Sequence, residues 1–317
     1  MPVDNASGVP IVGPGTPYIT PAILTAAPTG IAWSTIPDRT STPAQQLAEQ
    51  LNICVRASSM ADKAINQPLR ATVDVETFVG PGDFRVQNMP GGVTRILTSR
   101  SPVLSVVGGR VSSATAFPRA WRTIPVNQFE PEKPLLGIYS TSAPSGAGSG
   151  GQAILLAPGW VGWSYGRQGS RIEVTYVNGW PHGSLVAGAT AGTSALHVDD
   201  ITGWTGAAGT VYDGAQQEFV TCTTVTPDVP GAISGPGMLT LSAALTFPHQ
   251  AGTLVTCLPA SAMQACIYYA TAQALTRGAT ATAVQSLGGG VAGGGPQSIE
   301  GLLKLGDDLM HSFIRVV

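Results

Sequence analysis

The sequence predicts an α+β protein: a helical core with short antiparallel strands, into which a small all-β module, a barrel or a sandwich, is inserted. Three observations predict this class. Glycine and proline account for 40 and 25 of the 317 residues, and this content disfavours long helices. Short apolar runs lie between turn clusters, as in strands, whereas a few segments have the three-to-four-residue apolar spacing of helices. Residues 183–258 contain five acids and no Lys or Arg, which indicates a separate module.

The first 41 residues contain seven prolines, about twice the average density of the chain. Proline fixes the backbone in extended conformations, so residues 1–41 are expected to form an extended N-terminal arm. The arm also carries apolar residues that are expected to hold it on a surface, namely Tyr18, Ile19, Ile23, Leu24 and Trp33.

The predicted core comprises residues 42–182 and 259–317, and its first helix is expected near 43–66. Thr42 offers a hydroxyl N-cap, Pro43 suits the first helical position, and Gln45 can close a capping box. Pro68 ends the helix, because the residue before a proline avoids the helical region.

Two further helices are expected near 260–277 and 298–311. The first follows Pro259 and stops at Gly278, and the second follows Ser298. Residues 279–297 between them form a Gly-rich linker. Strands are predicted in the core at 71–79, 84–87, 94–98, 103–107, 153–156 and 171–177, and in the module at 195–198, 209–212, 218–225, 238–241 and 253–258.

The composition excludes several classes of protein. Apolar residues make up 43% of the chain, enough for a sizeable core, so an intrinsically disordered chain is excluded. No apolar run is long enough to span a membrane, and the N-terminus lacks the pattern of a signal peptide. A formal net charge of −2 gives no basis for non-specific nucleic-acid binding. The four cysteines are expected to be free thiols, with a Cys222–Cys257 bridge as the alternative.

One segment matches a catalytic motif. Residues 162–166 (GWSYG) fit the GxSxG nucleophile elbow around Ser164, and Asp199 or Asp200 and then His249 follow in hydrolase order. The elbow requires a helix after the serine, but a strand is predicted there instead. Chance turn sequence therefore explains the match better, and the chain is expected not to be an enzyme.

The remaining binding motifs favour structural roles. Residues 146–151 satisfy GxGxxG, but they precede a strand and cannot present a helix N-terminus to a phosphate. The histidines lack the spacing of metal ligands, and the adjacent carboxylates of Asp199 and Asp200 would point to opposite faces of a strand. No metal and no cofactor is therefore expected. Four tryptophans could form a carbohydrate platform, but core or interface packing is favoured for Trp160, Trp163, Trp180 and Trp204.

The order of the elements resembles the head-to-tail adaptor (connector) proteins of tailed bacteriophages, especially siphophages of actinobacteria. The resemblance covers about 240 residues and rests on segments 18–20 (YIT), 31–37 (IAWSTIP), 46–51 (QLAEQL), 75–82 (VETFVGPG), 172–181 (IEVTYVNGWP) and the helix 258–275. The module resembles small β domains of phage tail and neck proteins, through segments 193–199, 202–204, 214–220 and 239–253.

The resemblance implies a structural virion protein, assembled in the cytoplasm of the bacterial host. It implies a ring, dodecameric like the portal protein beneath it, that extends the DNA channel without sequence-specific binding and receives the next neck (stopper) or tail protein. The segment expected to dock into the portal is Phe313, Ile314, Arg315, Val316 and Val317. This β-prone tail suits the addition of a strand to a partner's sheet edge. The alternatives are another phage neck or tail protein, such as a terminator or baseplate component, and a serine hydrolase or glycan-binding protein directed at the cell wall.

Overall fold

The computed structural model describes residues 15–37, 40–80, 83, 85–113, 120–132, 153–158, 170–213, 216–277 and 298–313. Within these ranges the chain has a mixed α+β fold, and every ladder between two named strands is antiparallel. The mixed class is the one that the sequence predicts. The N-terminal 14 residues, the linker 279–297 and the motifs at 146–151 and 162–166 lie outside the described residues.

The described residues contain four α-helices: α1 (Pro21–Ala26), α2 (Pro43–Ile65), α3 (Ala260–Thr276) and α4 (Ile299–Met310). Helix α2 has the capping box that the sequence indicates, because the Thr42 side chain accepts from the Gln45 N–H and the Gln45 side chain accepts from the Thr42 N–H. The Ser298 side chain caps α4 by accepting from the Gly301 N–H at 2.9 Å. Three of the helices thus lie where capping residues and apolar spacing place them.

The prediction of an extended arm is wrong for residues 21–26, which form helix α1. Thr20 caps this helix and Pro21 occupies its first turn, the same Thr-Pro signal that begins α2. Tyr18, Ile19 and Leu24 are almost completely buried in the cluster formed with α2 and α3. Residues 18–24 are therefore part of the helical core instead of lying on its surface.

Fourteen strands form three sheets in the described part of the chain: β1 (Thr72–Gly80), β2 (Val86–Asn88), β3 (Thr94–Leu97), β4 (Val103–Ser113), β5 (Arg122–Ile124), β6 (Phe129–Pro131), β7 (Ala153–Leu156), β8 (Ser170–Asn178), β9 (His182–Ser184), β10 (Ala195–Val198), β11 (Ala208–Tyr212), β12 (Glu218–Pro227), β13 (Gly237–Leu241) and β14 (Leu254–Thr256). The sequence does not predict strands β5, β6 and β9, which have three residues each. The strand expected at 103–107 continues to Ser113 as β4.

Two four-stranded sheets, with the orders β1-β8-β4-β5 and β2-β3-β7-β6, share one buried apolar cluster. The first sheet contributes Phe78, Val174 and Tyr176, and the second contributes Ile96 and Ile154. The two sheets therefore pack face to face. We call the first of them the open-edged sheet, because its outer strands β1 and β5 each pair with one strand only in the described residues.

The third sheet has six strands, in the order β10-β13-β12-β11-β14-β9, and surrounds its own apolar cluster around Trp204. Its two outer strands meet: the Ser184 carbonyl of β9 accepts from the Asp199 N–H at 3.0 Å, and the His197 carbonyl of β10 accepts from the Val186 N–H at 2.9 Å. This curled sheet therefore satisfies part of its edges internally.

The N-terminal segment connects the curled sheet to the helices. His182 Nε2 lies 3.2 Å from the carbonyl oxygens of Thr16 and Pro17, so Nε2 carries the proton, and Nδ1 accepts from Thr256 Oγ1 at 2.9 Å. Burial lowers the pKa of His182 to about 4. On the other side, the Tyr18 hydroxyl donates to Asp62 of α2 at 2.6 Å. Residues 16–18 therefore link β9 to α2.

All four cysteines are buried and free. Cys222 lies on β12 and Cys257 directly follows β14, with β11 between these two strands. Burial raises the pKa of Cys54 to about 12 and that of Cys222 to about 11. Their thiolates, the reactive forms, are therefore scarce near neutral pH.

Candidate interaction surface

The segment predicted to dock into a partner begins on a residue that packs against the body of the protein. The Phe313 ring meets the Trp180 ring edge to face, with centroids 5.5 Å apart and an interplanar angle of 86°. Residues 314–317 lie outside the described residues. The docking role stays a prediction, but Phe313 itself belongs to the packed core margin.

Helix α4 is held firmly before it reaches Phe313. Its buried face consists of Leu302, Gly306 and Met310, spaced four residues apart. Gly306 faces the Tyr269 ring of α3, and a Cβ at this position would come within 2.5 Å of that ring. The Tyr269 hydroxyl donates to Asp307 at 2.7 Å, and burial together with this carboxylate raises the pKa of Tyr269. Phe313, which lies in the short helical turn directly after α4, therefore has a defined position.

Trp180 connects this position to the open-edged sheet. The backbone N–H of Trp180 donates to the Leu69 carbonyl at 2.8 Å, and the Trp180 carbonyl accepts from the backbone N–H of Ala71 at 2.7 Å. Leu69 and Ala71 lead directly into β1. Phe313, the last described residue, therefore packs near the start of the outer strand β1.

Strand β1 is nine residues long and pairs only with β8 in the described part of the chain, in one register without a bulge. Alternate side chains of β1 face solvent: Val75 is 56% exposed, Val79 is 40% exposed, and Thr77 between them is also exposed. Edge strands of natural proteins are often protected by lysine, proline, a bulge or inward-pointing charges. β1 has no lysine, proline or bulge, and its inward-pointing carboxylates are paired within the chain, so its edge is suited to pairing with another strand.

The acids of β1 are neutralised on the other face of the sheet. Asp74 pairs with Arg100 at 2.9 Å, and Glu76 pairs with Arg85 at 3.2 Å. The Tyr176 hydroxyl donates to Glu76, and burial and this carboxylate raise the pKa of Tyr176. The face of β1 that presents Val75 and Val79 is therefore uncharged along this strand.

A row of side chains crosses the same exposed face from β1 to β5. The strand registers place Thr77 opposite Glu173, Glu173 opposite Arg110, and Arg110 opposite Thr123. Glu173 and Arg110 form an ion pair of 2.7 Å, and the Arg110 guanidinium lies 4.5 Å from the centroid of the Trp121 ring. The charges of this row are thus paired in its centre, and exposed threonines lie at its two ends.

The residues considered for catalysis have structural partners. Asp199 accepts from the Ser184 N–H at 2.7 Å, whereas Asp200 accepts from the Thr202 N–H at 2.9 Å. His249 lies 3.3 Å from both Asp213 and Glu218, beside an open pocket of about 430 Å³. Ser164 lies outside the described residues. The structure thus gives the two aspartates separate partners and does not place them with His249.

The four tryptophans considered as a carbohydrate platform do not form one in the described part of the chain. Trp204 is completely buried, which confirms core packing for this residue, and Trp180 packs against Phe313. Trp160 and Trp163 lie outside the described residues. In the ranges that the structure covers, no group of three or more His, Cys, Asp and Glu side chains could hold a metal ion.

Sequence reasoning missed the open edge of β1 and the part of β5 in the exposed row. The alternation of Val73, Val75 and Val79 with Asp74 and Glu76 indicates a strand, but it predicts that the valines face the core, whereas the structure exposes Val75 and Val79. No helix of the described residues has the length and apolarity required to cross a membrane.

No protein-family model, no curated protein and no solved structure matches this chain.

Proposed function

We propose that this chain is a structural protein of a tailed-phage virion, a head-to-tail adaptor that forms a ring on the portal protein. The ring extends the DNA channel and connects the capsid to the next neck or tail protein. The proposal includes twelve copies per ring, matching the portal, and a location in the virion neck after assembly in the bacterial cytoplasm. The chain has no catalytic role in this proposal.

The arrangement of the elements supports the proposal. Helices α2, α3 and α4 share one buried cluster with the N-terminal residues, and the curled sheet lies between β8 and α3 in the sequence. We therefore interpret residues 183–258 as a β module inserted into a helical adaptor core. Its separate apolar cluster is what an inserted folding unit requires.

The observation that carries the proposal is the fixed position from which the C-terminal segment departs. Phe313 is held against Trp180, and the residues after it, Ile314, Arg315, Val316 and Val317, favour extended structure. A short β-prone segment that follows a rigid helix can add a strand to a partner's sheet, with backbone hydrogen bonds providing the affinity. In this proposal the partner is the portal protein.

The low charge of the chain fits a DNA conduit. Only 11% of the residues are charged and the formal net charge is −2. A channel wall must let DNA slide, and clustered Lys and Arg would hold the phosphates instead. Subunit interfaces also contain few charged residues in their centres.

The test is a truncation after Phe313, because removing Phe313 itself would disturb the packing on Trp180. The shortened chain should remain folded by circular dichroism but fail to bind the portal protein of the same virus in size-exclusion chromatography. A matched control replaces only Arg315 with Gln, which keeps the length and the β propensity, and should still bind. Normal portal binding by the truncated chain would refute the docking role, and localisation by electron microscopy to the tail tip would refute the adaptor assignment.

A further inference from the structure

The open-edged sheet has two outer strands, and in the described part of the chain neither has a strand partner on its outer side. β1 pairs only with β8, and β5 pairs only with β4. Val75 and Val79 of β1 and Thr123 of β5 are exposed on the same face of the sheet. An edge of nine residues without a lysine, a proline or a bulge tends to pair with another strand, so the assembled protein is expected to cover it.

We propose that the edge of β1 pairs with the edge of β5 in a second copy of this chain. This inference rests on the proposed ring and identifies the contact between its neighbouring subunits. A contact between two different edges is heterologous, and repeating it generates a closed ring when the rotation closes. A β1-to-β1 contact would be isologous and would end at a dimer.

The strand directions allow this contact. The order β1-β8-β4-β5 is antiparallel throughout, so β1 and β5 run in opposite directions. Rotation about an axis along the strands preserves their directions in the next copy. β5 of one copy would therefore meet β1 of the next as another antiparallel neighbour, and the sheet would continue without a change of pattern.

The side-chain rows on the exposed face also continue across the contact. In the register that extends the existing rows, Thr123 would lie beside Thr77 of the next copy. Trp121 directly precedes β5 and extends the row of Ser112, Arg171 and Val79. It would lie beside Val79 of the next copy. Threonine pairs and aromatic–valine pairs between strands are favourable.

The charges of β1 do not oppose this contact. Asp74 and Glu76 are paired with Arg100 and Arg85 within the chain. In the register described above, Ile124 would lie beside Glu76 of the next copy and Arg122 beside Phe78, so the contact places no like charges opposite each other.

The test uses single cysteines at Thr77 and Thr123, which are exposed, together with a short bismaleimide. The four native cysteines are buried, and the unmodified chain serves as the control for their reactivity. We expect no cross-link in Thr77→Cys or Thr123→Cys alone, a cross-linked dimer in a mixture of the two, and a ladder of larger species in the double variant. The reaction is run on the full chain alone and with the portal protein.

A second measurement replaces Val75 with Lys, the kind of residue that protects edges. Self-association, measured by analytical ultracentrifugation, should weaken at least about tenfold. The matched control is Val186→Lys, because Val186 is 49% exposed and lies beside the curled sheet. This control should associate like the unmodified chain.

Each outcome decides between the hypotheses. Cross-linked dimers of Thr77→Cys alone would show that β1 meets β1 and would overturn the inference. A ring that forms without Thr77–Thr123 cross-links would overturn the edge contact but leave the proposed adaptor ring standing. A cross-linked ring that does not bind the portal would refute the proposed function and leave the edge contact standing. A chain that stays monomeric both alone and with the portal protein would refute the edge contact and the proposed adaptor ring.

Discussion

The curled sheet and the open-edged sheet treat their outer strands in opposite ways. In the curled sheet, β9 and β10 bond to each other through the Ser184 and His197 carbonyls. In the open-edged sheet, β1 and β5 lie at opposite ends and have no strand partner on the outside in the described residues. The difference teaches that the curled sheet pairs part of its outer edges within one chain, whereas the open-edged sheet leaves edges that are suited to contacts between chains.

The largest expected effect tests whether the curled sheet is a unit of its own. Trp204 is completely buried in its cluster, so Trp204→Ala should lower the free energy of unfolding by about 3–5 kcal/mol. Hydrogen exchange should rise mainly within residues 183–258. Phe219→Ala, at a 57% exposed position of the same sheet, should change the stability by less than about 0.5 kcal/mol. Equal increases of exchange in β1 and α2 would contradict the separation of the two regions.

The next effect tests the link between the curled sheet and the helices. The pKa of His182 is lowered to about 4 because the folded state buries the neutral ring. Its contribution is complete above the unfolded pKa of about 6.5 and is lost as the pH falls through 4, by about 3 kcal/mol. Denaturant titrations from pH 7 to pH 4 should show this loss, and His182→Gln should reduce the pH dependence.

The control for this titration is His197→Gln, at a partly exposed histidine of β10 that pairs with Asp228. It should leave the loss of stability between pH 7 and pH 4 in place. An unchanged pH dependence in the His182 variant would mean that other groups cause the loss.

A smaller effect tests the same link from the other side. The Tyr18 hydroxyl donates to Asp62 and accepts from the Arg70 N–H at 3.2 Å. Tyr18→Phe leaves buried polar groups with fewer partners, so it should cost about 2 kcal/mol in urea denaturation. Tyr268→Phe, at a half-buried position of α3, is the matched control and should cost less. Equal costs would show that the Tyr18 hydroxyl contributes nothing specific.

The smallest effect distinguishes stability from association. Val75→Lys and Val186→Lys should each change the unfolding free energy of the isolated chain by less than about 0.5 kcal/mol, because both side chains are exposed. Thermal melts at low concentration measure this directly. A large loss of stability in Val75→Lys would mean that β1 depends on this valine within the chain, and its association result would then need a milder variant, Val75→Thr.

Local signals predicted much of the fold. The capping box of Thr42 and Gln45 and the cap at Ser298 are determined by neighbouring residues, so the starts of α2 and α4 could be predicted from sequence. Helix α1 has the same signal in Thr20 and Pro21, but the high density of prolines around it favours extended structure. The three-residue strands β5, β6 and β9 have too few residues for a periodic pattern, and β6 and β9 also depend on partners far along the chain.

The candidate surface was harder to predict for the same reason. The exposure of β1 depends on β8, about a hundred residues later, which covers only one of its edges. The contact of Phe313 with Trp180 joins a terminal helix to a strand end, and neither residue carries a local mark of the other. The sequence indicates a β-prone terminal segment, but only the fold shows that its first residue, Phe313, packs against Trp180.

The link between residues 16–18 and β9 has a consequence for the order of folding. His182 is 166 residues beyond Thr16, so the carbonyl oxygens of Thr16 and Pro17 acquire this partner only after β9 has been synthesised. At about 5–20 residues per second on the ribosome, the delay is roughly 8–30 s. Tyr18 and Leu24 can meet α2 earlier, but residues 16 and 17 cannot complete their contacts until His182 has been synthesised. Nascent chains of this protein are therefore expected to need protection from aggregation for that interval.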